Sequence, residues 1–399
     1  MHQLPDSAGL RIGIDGRELL ADRQTGIGRY LANFIRTMAP ANPQHTFYLY
    51  GNQHTVVPEG LTNLVARLQD EANTMWWDQV ILPRMLREDA MDVFLSPFDK
   101  APAAAPCPVA VTVHDLTFLV HSDRRGLARI LYNAAYRAIR GPLIRRADLV
   151  ITDSEFSRQD IASRLGIPAD RIRAVPIGVP DTHIPVRDPE KLIRFQSSVG
   201  ITGPYVLYVG NFKPHKNVIG LVRAFAGLPE GLRSSHQLVL CGSRDAFRNG
   251  IEAEAGKLGL SDRVLFPGFV ADADMATLYS GAAVFVLPSL YEGFGLGNLE
   301  AMVCGTPVVS SSAASMPEVV GDAGILVDAT RPEEIAEAVA GILADPALRQ
   351  CLSERSLARA SLFTREQTSG QILKCLEELA ASGRHPEPRP SQPESGEAL

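Results

Sequence analysis

The amino-acid sequence predicts an α/β protein of two domains, each a parallel β-sheet with helices on both faces. Three observations carry this prediction. Short apolar runs alternate with helical stretches, which is typical of parallel βαβ units. The alternation stops after Val179 and restarts at Tyr205. At 399 residues, the chain is too long for one typical domain and suits two.

The first half is predicted to form one doubly wound domain over residues 1–182. Its predicted strands are Arg11–Ile14, Phe47–Tyr50, Val93–Leu95, Val109–Val113 and Leu149–Ile151. Helical stretches such as Gly28–Met38 and Leu127–Arg140 separate them. Residues 183–200 lose the periodicity and carry two prolines near their start, so we interpret them as a linker.

The second half repeats the pattern over residues 201–366. Its predicted strands are Tyr205–Val209, Leu238–Leu240, Val264–Phe266, Val284–Leu287 and Val308–Ser310. Its later helices are predicted at Asn298–Cys304, Pro332–Leu343 and Pro346–Leu357. An amphipathic closing helix (Gln367–Leu379) is expected within residues 367–382, and the polar, proline-rich residues 383–399 are expected to be disordered.

Composition narrows the functional class. Hydrophobic residues make up 45% and charged residues 21%, as in globular proteins, and the net charge of −6 does not favour a nucleic-acid partner. Five dispersed cysteines without a C-x-x-C pair predict reduced thiols in the cytoplasm, not a disulfide framework or zinc site. We expect neither a signal peptide nor a membrane-spanning segment.

A strand, a glycine-rich turn, a helix and a second strand follow one another between Ala283 and Val309. The turn contains Gly293 and Gly295, and Glu292 and Glu300 frame it. Glycines let backbone N–H groups approach a phosphate, and a helix N-terminus adds a favourable dipole. The alternative is structural, because such turns are common and a glutamate in a first helical turn is often only a dipole partner.

Glu292, Glu300 and the C-G-T-P-V-V that follows resemble the Glu-x7-Glu signature of retaining glycosyltransferases of family 4, which have the GT-B fold. The resemblance covers nearly the whole chain, in family order. It runs through TGIGRY (25–30), HD (114–115), TDSEFSRQDI (152–161), GNFKPHKN (210–217), PGFV (267–270), EGFG (292–295) and SMPEVVGDAG (315–324). It implies two Rossmann-like domains facing across a cleft. The chain departs from the family at Gly297, where proline is usual, and at Phe363-Thr364, where a tryptophan often follows the phenylalanine.

The resemblance implies roles for residues around the glycine turn. The donor diphosphate would be held by Lys216 and by the backbone of Phe294, Gly295 and Leu296, beside Gly293. Glu300 would accept hydrogen bonds from the ribose, and Glu292 would contact the donor sugar.

Cleavage of a nucleotide sugar places charge on the departing diphosphate, and fixed cations stabilise that charge. The family usually supplies an arginine and a lysine in the loop after the first strand of the second domain. Lys216 matches the lysine, but Asn211 stands where the arginine is common, so Lys213 or, less well, His215 would have to supply the second charge. The alternative is a turn with three solvated basic residues.

His114 and Asp115 follow a predicted strand, where a histidine is either structural or catalytic. In the family a histidine at this point lies near the donor sugar and the acceptor, and we interpret Asp115 as the neighbour that orients it. Gly26 and Gly28 open the first helix. They either form only a tight turn or, as in the family, line the cleft.

Two further segments, containing Gly242 and Phe269, would hold the nucleotide, the second commonly through its backbone. Asp272-Ala273-Asp274 imitates a D-x-D metal motif but precedes a helix, so capping is the better interpretation. We therefore predict neither a metal nor a cofactor.

Seven arginines crowd one predicted helical region: Arg124, Arg125, Arg129, Arg137, Arg140, Arg145 and Arg146. Two interpretations are open. The region is a packed helix with a solvated basic face, or it makes peripheral contact with an anionic membrane, to which Trp76-Trp77 would contribute.

The function implied is retaining, metal-independent transfer of a hexose from a nucleotide sugar to a glycan or lipid-linked saccharide in the cytoplasm. GDP-mannose is the first choice of donor, because the GNFKPHKN variant resembles members that act on surface polysaccharides, several of which are mannosyltransferases. The alternatives are another GT-B enzyme, such as a nucleotide-sugar epimerase or an inverting transferase, and a non-catalytic nucleotide-sugar-binding scaffold.

Overall fold

The fold is described from a computed structural model, which describes residues 9–20, 26–120, 138–179, 183–242 and 246–383. The described chain divides into two compact units. Unit 1 contains the described residues up to Thr112, from Pro142 to Val150 and from Gly370 onward. Unit 2 contains those from Val113 to Gly141 and from Ile151 to Ser369.

Seven strands from the first half of the chain form one sheet, in the order β3-β2-β1-β4-β5-β6-β7. They are β1 (Arg11–Asp15), β2 (Thr46–Gly51), β3 (Leu64–Leu68), β4 (Val93–Ser96), β5 (Val109–Thr112), β6 (Leu149–Thr152) and β7 (Ile172–Ala174). The pairs β1–β2, β1–β4, β2–β3 and β4–β5 are parallel.

Six strands form the second sheet, in the order β10-β9-β8-β11-β12-β13, and every neighbouring pair is parallel. They are β8 (Tyr205–Val209), β9 (Gln237–Cys241), β10 (Val264–Gly268), β11 (Val284–Leu287), β12 (Val308–Ser311) and β13 (Ile325–Val327). This sheet lies wholly in unit 2.

Helices connect the strands, as parallel pairing requires. They are α1 (Gly26–Ala41), α2 (Thr74–Trp76), α3 (Leu82–Glu88), α4 (Thr117–Val120), α5 (138–146), α6 (Glu155–Leu165), α7 (Pro189–Ser198), α8 (Val218–Ala226), α9 (Glu230–Ser235), α10 (Arg248–Lys257), α11 (Asp272–Ser280), α12 (Leu296–Val303), α13 (Met316–Val320), α14 (Pro332–Ala344), α15 (Pro346–Ala360) and α16 (Arg365–Ser382). A π-helical segment, Trp77–Ile81, joins α2 to α3, and 3₁₀ turns occupy Ala169–Arg171 and Pro214–Lys216.

Both sheets are doubly wound, because their strand order reverses between β1 and β4 in the first and between β8 and β11 in the second. In such sheets ligands bind beyond the carboxyl ends of the strands at the point of reversal, the switch point. The loops after β8 and β11 are therefore the first place to seek a site in unit 2.

The predicted strands are confirmed where both faces of a strand are covered. β8 and β11 have the predicted bounds, and β4, β5, β9 and β12 are longer by a residue or two or end one residue earlier. Every residue of β4, β5, β9 and β11 is buried, which explains their continuous apolar runs. The sequence did not predict β3, β7 and β13, which lie at sheet edges or carry only three residues.

Several sequence predictions differ from the structure or fall outside the described residues. The segment predicted as a linker contains α7, and the closing helix α16 is longer than predicted. The predicted helix Leu127–Arg140 lies outside the described residues except for its last three, as does the predicted tail from residue 384 onward. Of the seven clustered arginines, those at 124, 125, 129 and 137 also lie outside. In the described part of the chain, no helix has both the length and the apolar character to cross a membrane.

Candidate functional site

An ion pair joins the two loops at the switch point of the six-stranded sheet. Lys216 Nζ lies 2.5 Å from Glu292 Oε1, and the two side chains are 17% and 13% exposed. Lys216 ends the 3₁₀ turn after β8, and Glu292 begins the glycine turn after β11. The backbone N–H of Leu290 donates to the carbonyl of His215 at 2.7 Å, which holds the two loops together. The site thus presents one cation and one carboxylate that reach solvent.

The glycine turn needs its glycines for steric reasons. A Cβ on Gly293 would lie 1.8 Å from the carbonyl oxygen of His114, so no side chain fits there. Gly295 is the N-cap residue of α12. Its φ of +90° lies in the left-handed region, which favours glycine. Leu296 begins α12, and Phe294 is buried against the ring of Phe363 at 6.0 Å. The turn therefore places the N-terminus of α12 next to Glu292.

Side-chain hydroxyls hold the carbonyl groups of this turn. Ser315 Oγ donates to the Glu292 carbonyl at 3.0 Å. Ser154 Oγ and Ser157 Oγ donate to the Gly293 carbonyl at 2.6 and 3.0 Å. Ser154 is also the N-cap of α6, where its Oγ accepts from the N–H of Ser157. The start of α6 therefore fixes the backbone beside Glu292.

Two further contacts tie α6 to the same part of unit 2. The Glu318 carboxylate accepts hydrogen bonds from the backbone N–H groups of Glu155 and Phe156, at the N-terminus of α6. The hydroxyl of Tyr291 donates a hydrogen bond to Asp160 Oδ2 at 2.8 Å. Tyr291, directly before the turn, and Glu318, after it, thus both form hydrogen bonds with α6.

His114 lies beside a buried carboxylate. Its Nδ1 is 2.8 Å from Oδ2 of Asp153, whose side chain is 3% exposed. The two residues follow the adjacent strands β5 and β6 at their carboxyl ends. Burial raises the pKa of Asp153 and neighbouring Asp115 adds to the rise, while His114 partly opposes it. A carboxylate at Nδ1 fixes the ring orientation and directs Nε2 away from it.

The prediction that Asp115 orients His114 needs correction. Asp115 Oδ1 accepts a hydrogen bond from the backbone N–H of Thr117, and the carboxylate at Nδ1 belongs to Asp153. Sequence reasoning missed Asp153, although its position directly after the apolar run Leu149–Ile151 was the available signal.

Glu300 lies on α12 and is largely buried. Its Oε2 accepts a hydrogen bond from the hydroxyl of Tyr279 at 2.8 Å. Burial raises the pKa of Tyr279 well above its ordinary value, and Glu300 raises it further. The phenol therefore stays protonated and remains a donor. Sequence reasoning missed Tyr279, which looks like an ordinary core residue of α11.

Gly297, one of the departures from the family pattern, has a steric explanation. A Cβ here would lie 3.1 Å from Cζ of Phe285, closer than side chains normally approach, and 4.0 Å from the hydroxyl oxygen of Tyr279. Glycine therefore accommodates the aromatic pair of Tyr279 and Phe285, whose ring centroids are 5.5 Å apart.

The other predicted nucleotide-binding residues of unit 2 also follow strands at their carboxyl ends. Asn211 Oδ1 accepts a hydrogen bond from the backbone N–H of Lys213 at 3.2 Å, and the Lys213 side chain is exposed. Gly242 is required because a Cβ there would lie 2.1 Å from the carbonyl oxygen of Gly210. Phe269 follows β10 with 82% of its surface exposed.

The capping interpretation of Asp272 and Asp274 is wrong. The N-cap of α11 is Ala271, so both aspartates lie inside the first turn of the helix. Acidic residues are favourable there because they face the positive end of the helix dipole.

Gly26 and Gly28 belong to unit 1, where they begin α1. A Cβ on Gly26 would meet no atom within 4 Å, so packing within the described residues does not require that glycine. Thr25, which precedes them in the motif, lies outside the described residues.

Comparison with known families agrees with this arrangement. The model for Glycosyltransferase Family 4 matches residues 24–183, and the model for Glycosyl transferases group 1 matches residues 190–359. The second match contains Lys216, Glu292 and Glu300, and the first contains His114 and Asp153.

Individual relatives support the same assignment. The O-antigen chain mannosyltransferase B of Escherichia coli is 36% identical over 234 residues, which cover 58% of this chain and 61% of that protein. A D-inositol 3-phosphate glycosyltransferase of Acidothermus cellulolyticus is 33% identical over 251 residues, 61% of this chain and 56% of that protein. These alignments span less than two thirds of either relative.

Solved structures show the same fold. The crystal structure of Anabaena Alr3699/HepE in complex with UDP and glucose matches with a TM-score of 0.72 at 19% identity, covering 93% of this chain and 100% of that one. At such low identity the likeness concerns the fold alone. The two family matches, the relatives and the shared GT-B fold agree. The chain belongs to the family-4 type of glycosyltransferases.

Proposed function

We propose that the protein transfers a hexose from a nucleotide sugar to a glycan or lipid-linked saccharide, with retention of anomeric configuration and without a metal ion. Our first choice of donor is GDP-mannose. The process we propose is the synthesis of a surface polysaccharide. The relative named O-antigen chain mannosyltransferase B supports mannose as the sugar and this process.

The observation that carries the proposal is the ion pair between Lys216 and Glu292 at the switch point. A diphosphate that enters beside the N-terminus of α12 would compete with Glu292 for the ammonium group. Fixed cations and helix N-termini stabilise the charge that develops on a leaving diphosphate. Glu292, once displaced from Lys216, would be available to the hydroxyl groups of the donor sugar.

The remaining residues take roles consistent with their surroundings. Glu300 would accept a hydrogen bond from the ribose, and Gly242 and Phe269 would contact the nucleotide. His114, held by Asp153, would lie near the sugar and the reacting oxygens. Lys213 would add the second positive charge that Asn211 does not supply.

The reaction proposed needs no protein nucleophile. The bond between C1 of the sugar and the diphosphate oxygen breaks, and its electron pair leaves with the diphosphate. The acceptor hydroxyl oxygen attacks C1 from the same face and forms the new glycosidic bond. Its proton passes to the departing phosphate oxygen.

We propose a cytoplasmic site of action, in keeping with the dispersed cysteines. We propose peripheral contact with an anionic membrane only through the arginines between residues 124 and 146. Trp77 does not support it, because its side chain is buried against Arg17, whereas Trp76 is exposed.

Thermal shift measurements with UDP, GDP, ADP, dTDP and their common sugars, with and without EDTA, test the binding step. A ligand that binds only the folded state stabilises it by RT ln(1 + [L]/Kd). We expect a shift with one nucleotide, GDP first, that EDTA leaves unchanged. No shift with any of them would favour the scaffold alternative, and a shift abolished by EDTA would contradict metal independence.

The anomeric configuration of the product, read by NMR, tests the reaction. Retention is expected. Inversion would indicate an inverting transferase, and conversion of the donor without transfer would indicate an epimerase. Binding of the nucleotide sugar without turnover of any acceptor would again favour the scaffold.

A further inference from the structure

A buried phenol holds one oxygen of the carboxylate assigned to the ribose. Tyr279 is fully buried, and its hydroxyl lies 2.8 Å from Oε2 of Glu300. Among the described residues, Tyr279 is the only side chain that donates a hydrogen bond to this carboxylate. Because the pKa of Tyr279 is raised by burial and by Glu300, the phenol does not lose its proton near neutrality.

The phenol has little freedom to move. Its ring packs edge-on against Phe285 at 5.5 Å and tilted against His183 at 6.1 Å. Thr306 Oγ1 donates to the backbone carbonyl of Tyr279 at 2.7 Å, which holds the end of α11. A donor fixed in this way also fixes the carboxylate that accepts from it.

We propose that Tyr279 is a positioning residue that makes Glu300 selective for a ribonucleotide over a deoxyribonucleotide. The phenol donates to Oε2 and so fixes the orientation in which the carboxylate, chiefly through Oε1, accepts a hydrogen bond from a ribose hydroxyl. A hydrogen bond to a charged acceptor is stronger than one between neutral groups, and a deoxy analogue would leave the buried carboxylate without that donor. The inference rests on the proposed function, since it assumes that a nucleotide binds beside α12.

The test compares dissociation constants for GDP, 2′-deoxy-GDP and 3′-deoxy-GDP, measured by calorimetry on the full-length protein. If the thermal shift panel selects UDP, then UDP and its two deoxy analogues replace them. The wild type is expected to bind the ribonucleotide at least about tenfold more tightly than one of the analogues, in line with a charged hydrogen bond. In Tyr279→Phe that ratio is expected to fall to about threefold or less.

Tyr205→Phe is the matched control. Tyr205 is another fully buried tyrosine of unit 2, and its hydroxyl donates to the backbone carbonyl of Leu278 at 2.5 Å. The substitution removes a buried hydroxyl without touching Glu300, so its ribo-to-deoxy ratio should equal that of the wild type.

Each outcome decides a different point. A folded Tyr279→Phe protein with a wild-type ratio overturns the inference, as does a Tyr205→Phe protein that loses the ratio equally. If Tyr279→Phe does not fold, Glu300→Asp takes its place as the test variant. It shortens the side chain by one methylene group, which withdraws the carboxylate from the phenol but keeps its charge. An unchanged ratio in that variant also overturns the inference. A wild type that binds no nucleotide rejects the proposed function itself. One that binds all analogues equally overturns this inference together with the ribose role of Glu300, but leaves nucleotide binding standing.

Discussion

At the switch point of the seven-stranded sheet a cation is surrounded by carboxylates, whereas at that of the six-stranded sheet a cation faces a single carboxylate among the described residues. Arg17, two residues after β1, contacts Asp15 at 2.6 Å, Asp78 at 2.5 Å and Glu71 at 3.2 Å. Its guanidinium also lies over the ring of Trp77, 3.9 Å from the centroid. Burial lowers the pKa of Arg17, but the carboxylates raise it by more, so that the group stays charged.

Lys216 and Glu292 differ from that cluster in partners and in exposure. Each has the other as its ion-pair partner, and both side chains reach solvent, whereas the Arg17 side chain is 6% exposed. An incoming anion can replace one carboxylate at a solvent-accessible pair, but it cannot enter a cluster whose donors are already used. We therefore propose that the two switch points differ in role, serving stability in the seven-stranded sheet and ligand exchange in the six-stranded sheet.

The strongest test of this contrast removes the buried cation. Arg17→Ala leaves Asp15 and Asp78 buried without their partner, and breaking a buried ion pair in this way typically costs about 3–5 kcal/mol. Urea unfolding should show a loss of that size. Arg84→Ala, which breaks an exposed pair with Glu88, is the control and should give no resolvable change. A stable Arg17→Ala protein would remove the structural half of the comparison.

The next effect concerns activity and not stability. Lys216→Ala should lower kcat/KM by about 10²-fold or more, the scale seen when one transition-state charge partner is removed. The unfolding midpoint in urea should change little, because the pair is partly solvated. Lys213→Ala, in the same loop but exposed, should have a smaller effect. Near-normal turnover of Lys216→Ala would contradict the assignment of the switch-point site.

A third substitution tests how the turn beside Glu292 is held. Ser154→Ala removes the N-cap of α6 and a hydrogen bond to the Gly293 carbonyl, so a loss of about 1–2 kcal/mol in unfolding free energy is expected. A fall in kcat/KM should accompany it if the turn must be rigid for catalysis. Ser163→Ala, on the exposed side of α6, should change neither quantity. Loss of stability with full activity would show that the turn keeps its geometry without Ser154.

The smallest expected effect is a pH dependence. The pKa of Asp153 is raised in the folded protein, so the native state binds its proton more tightly than the unfolded chain. This group therefore contributes stability that is present below the unfolded pKa near 4 and is lost as pH rises through the folded pKa. The effect should be small, because it comes from one carboxyl group and because His114 opposes the rise in its pKa.

Comparing unfolding free energies of the wild type and Asp153→Asn between pH 3 and 7 isolates this contribution. The wild type should lose stability relative to the variant as pH rises. A difference that is constant with pH, or that grows in favour of the wild type, would mean that the ion pair with His114 outweighs burial.

The sequence predicted most of the fold because buried parallel strands read as continuous apolar runs. β8 and β11 were placed to the residue for that reason. It failed at β3, whose exposed edge position leaves a mixed pattern, and at β7 and β13, which are too short to stand out. β-propensity depends on context, so it does not by itself identify a strand that is very short or half exposed at a sheet edge.

The candidate site was partly predictable in the same way. Polar residues in the loops that follow apolar strands, such as His114 and Lys216, are visible in a sequence, because the fold itself does not require a charged or titratable group there. Asp153 follows the same rule and was overlooked. Tyr279 obeys no such rule, since a tyrosine among apolar residues of a helix looks like core until its hydroxyl is located.

The sequence by itself determined the two-domain α/β class, the position of the buried central strands and which loops carry polar groups. Only the tertiary structure decided the pairs: Lys216 with Glu292, 76 residues away, and His114 with Asp153, 39 residues away. The physical reason is that local patterns report burial and backbone preference, whereas partners depend on which strand ends adjoin in the sheet. The same reason explains why Arg17 and Lys216, both basic residues after a strand, have such different surroundings.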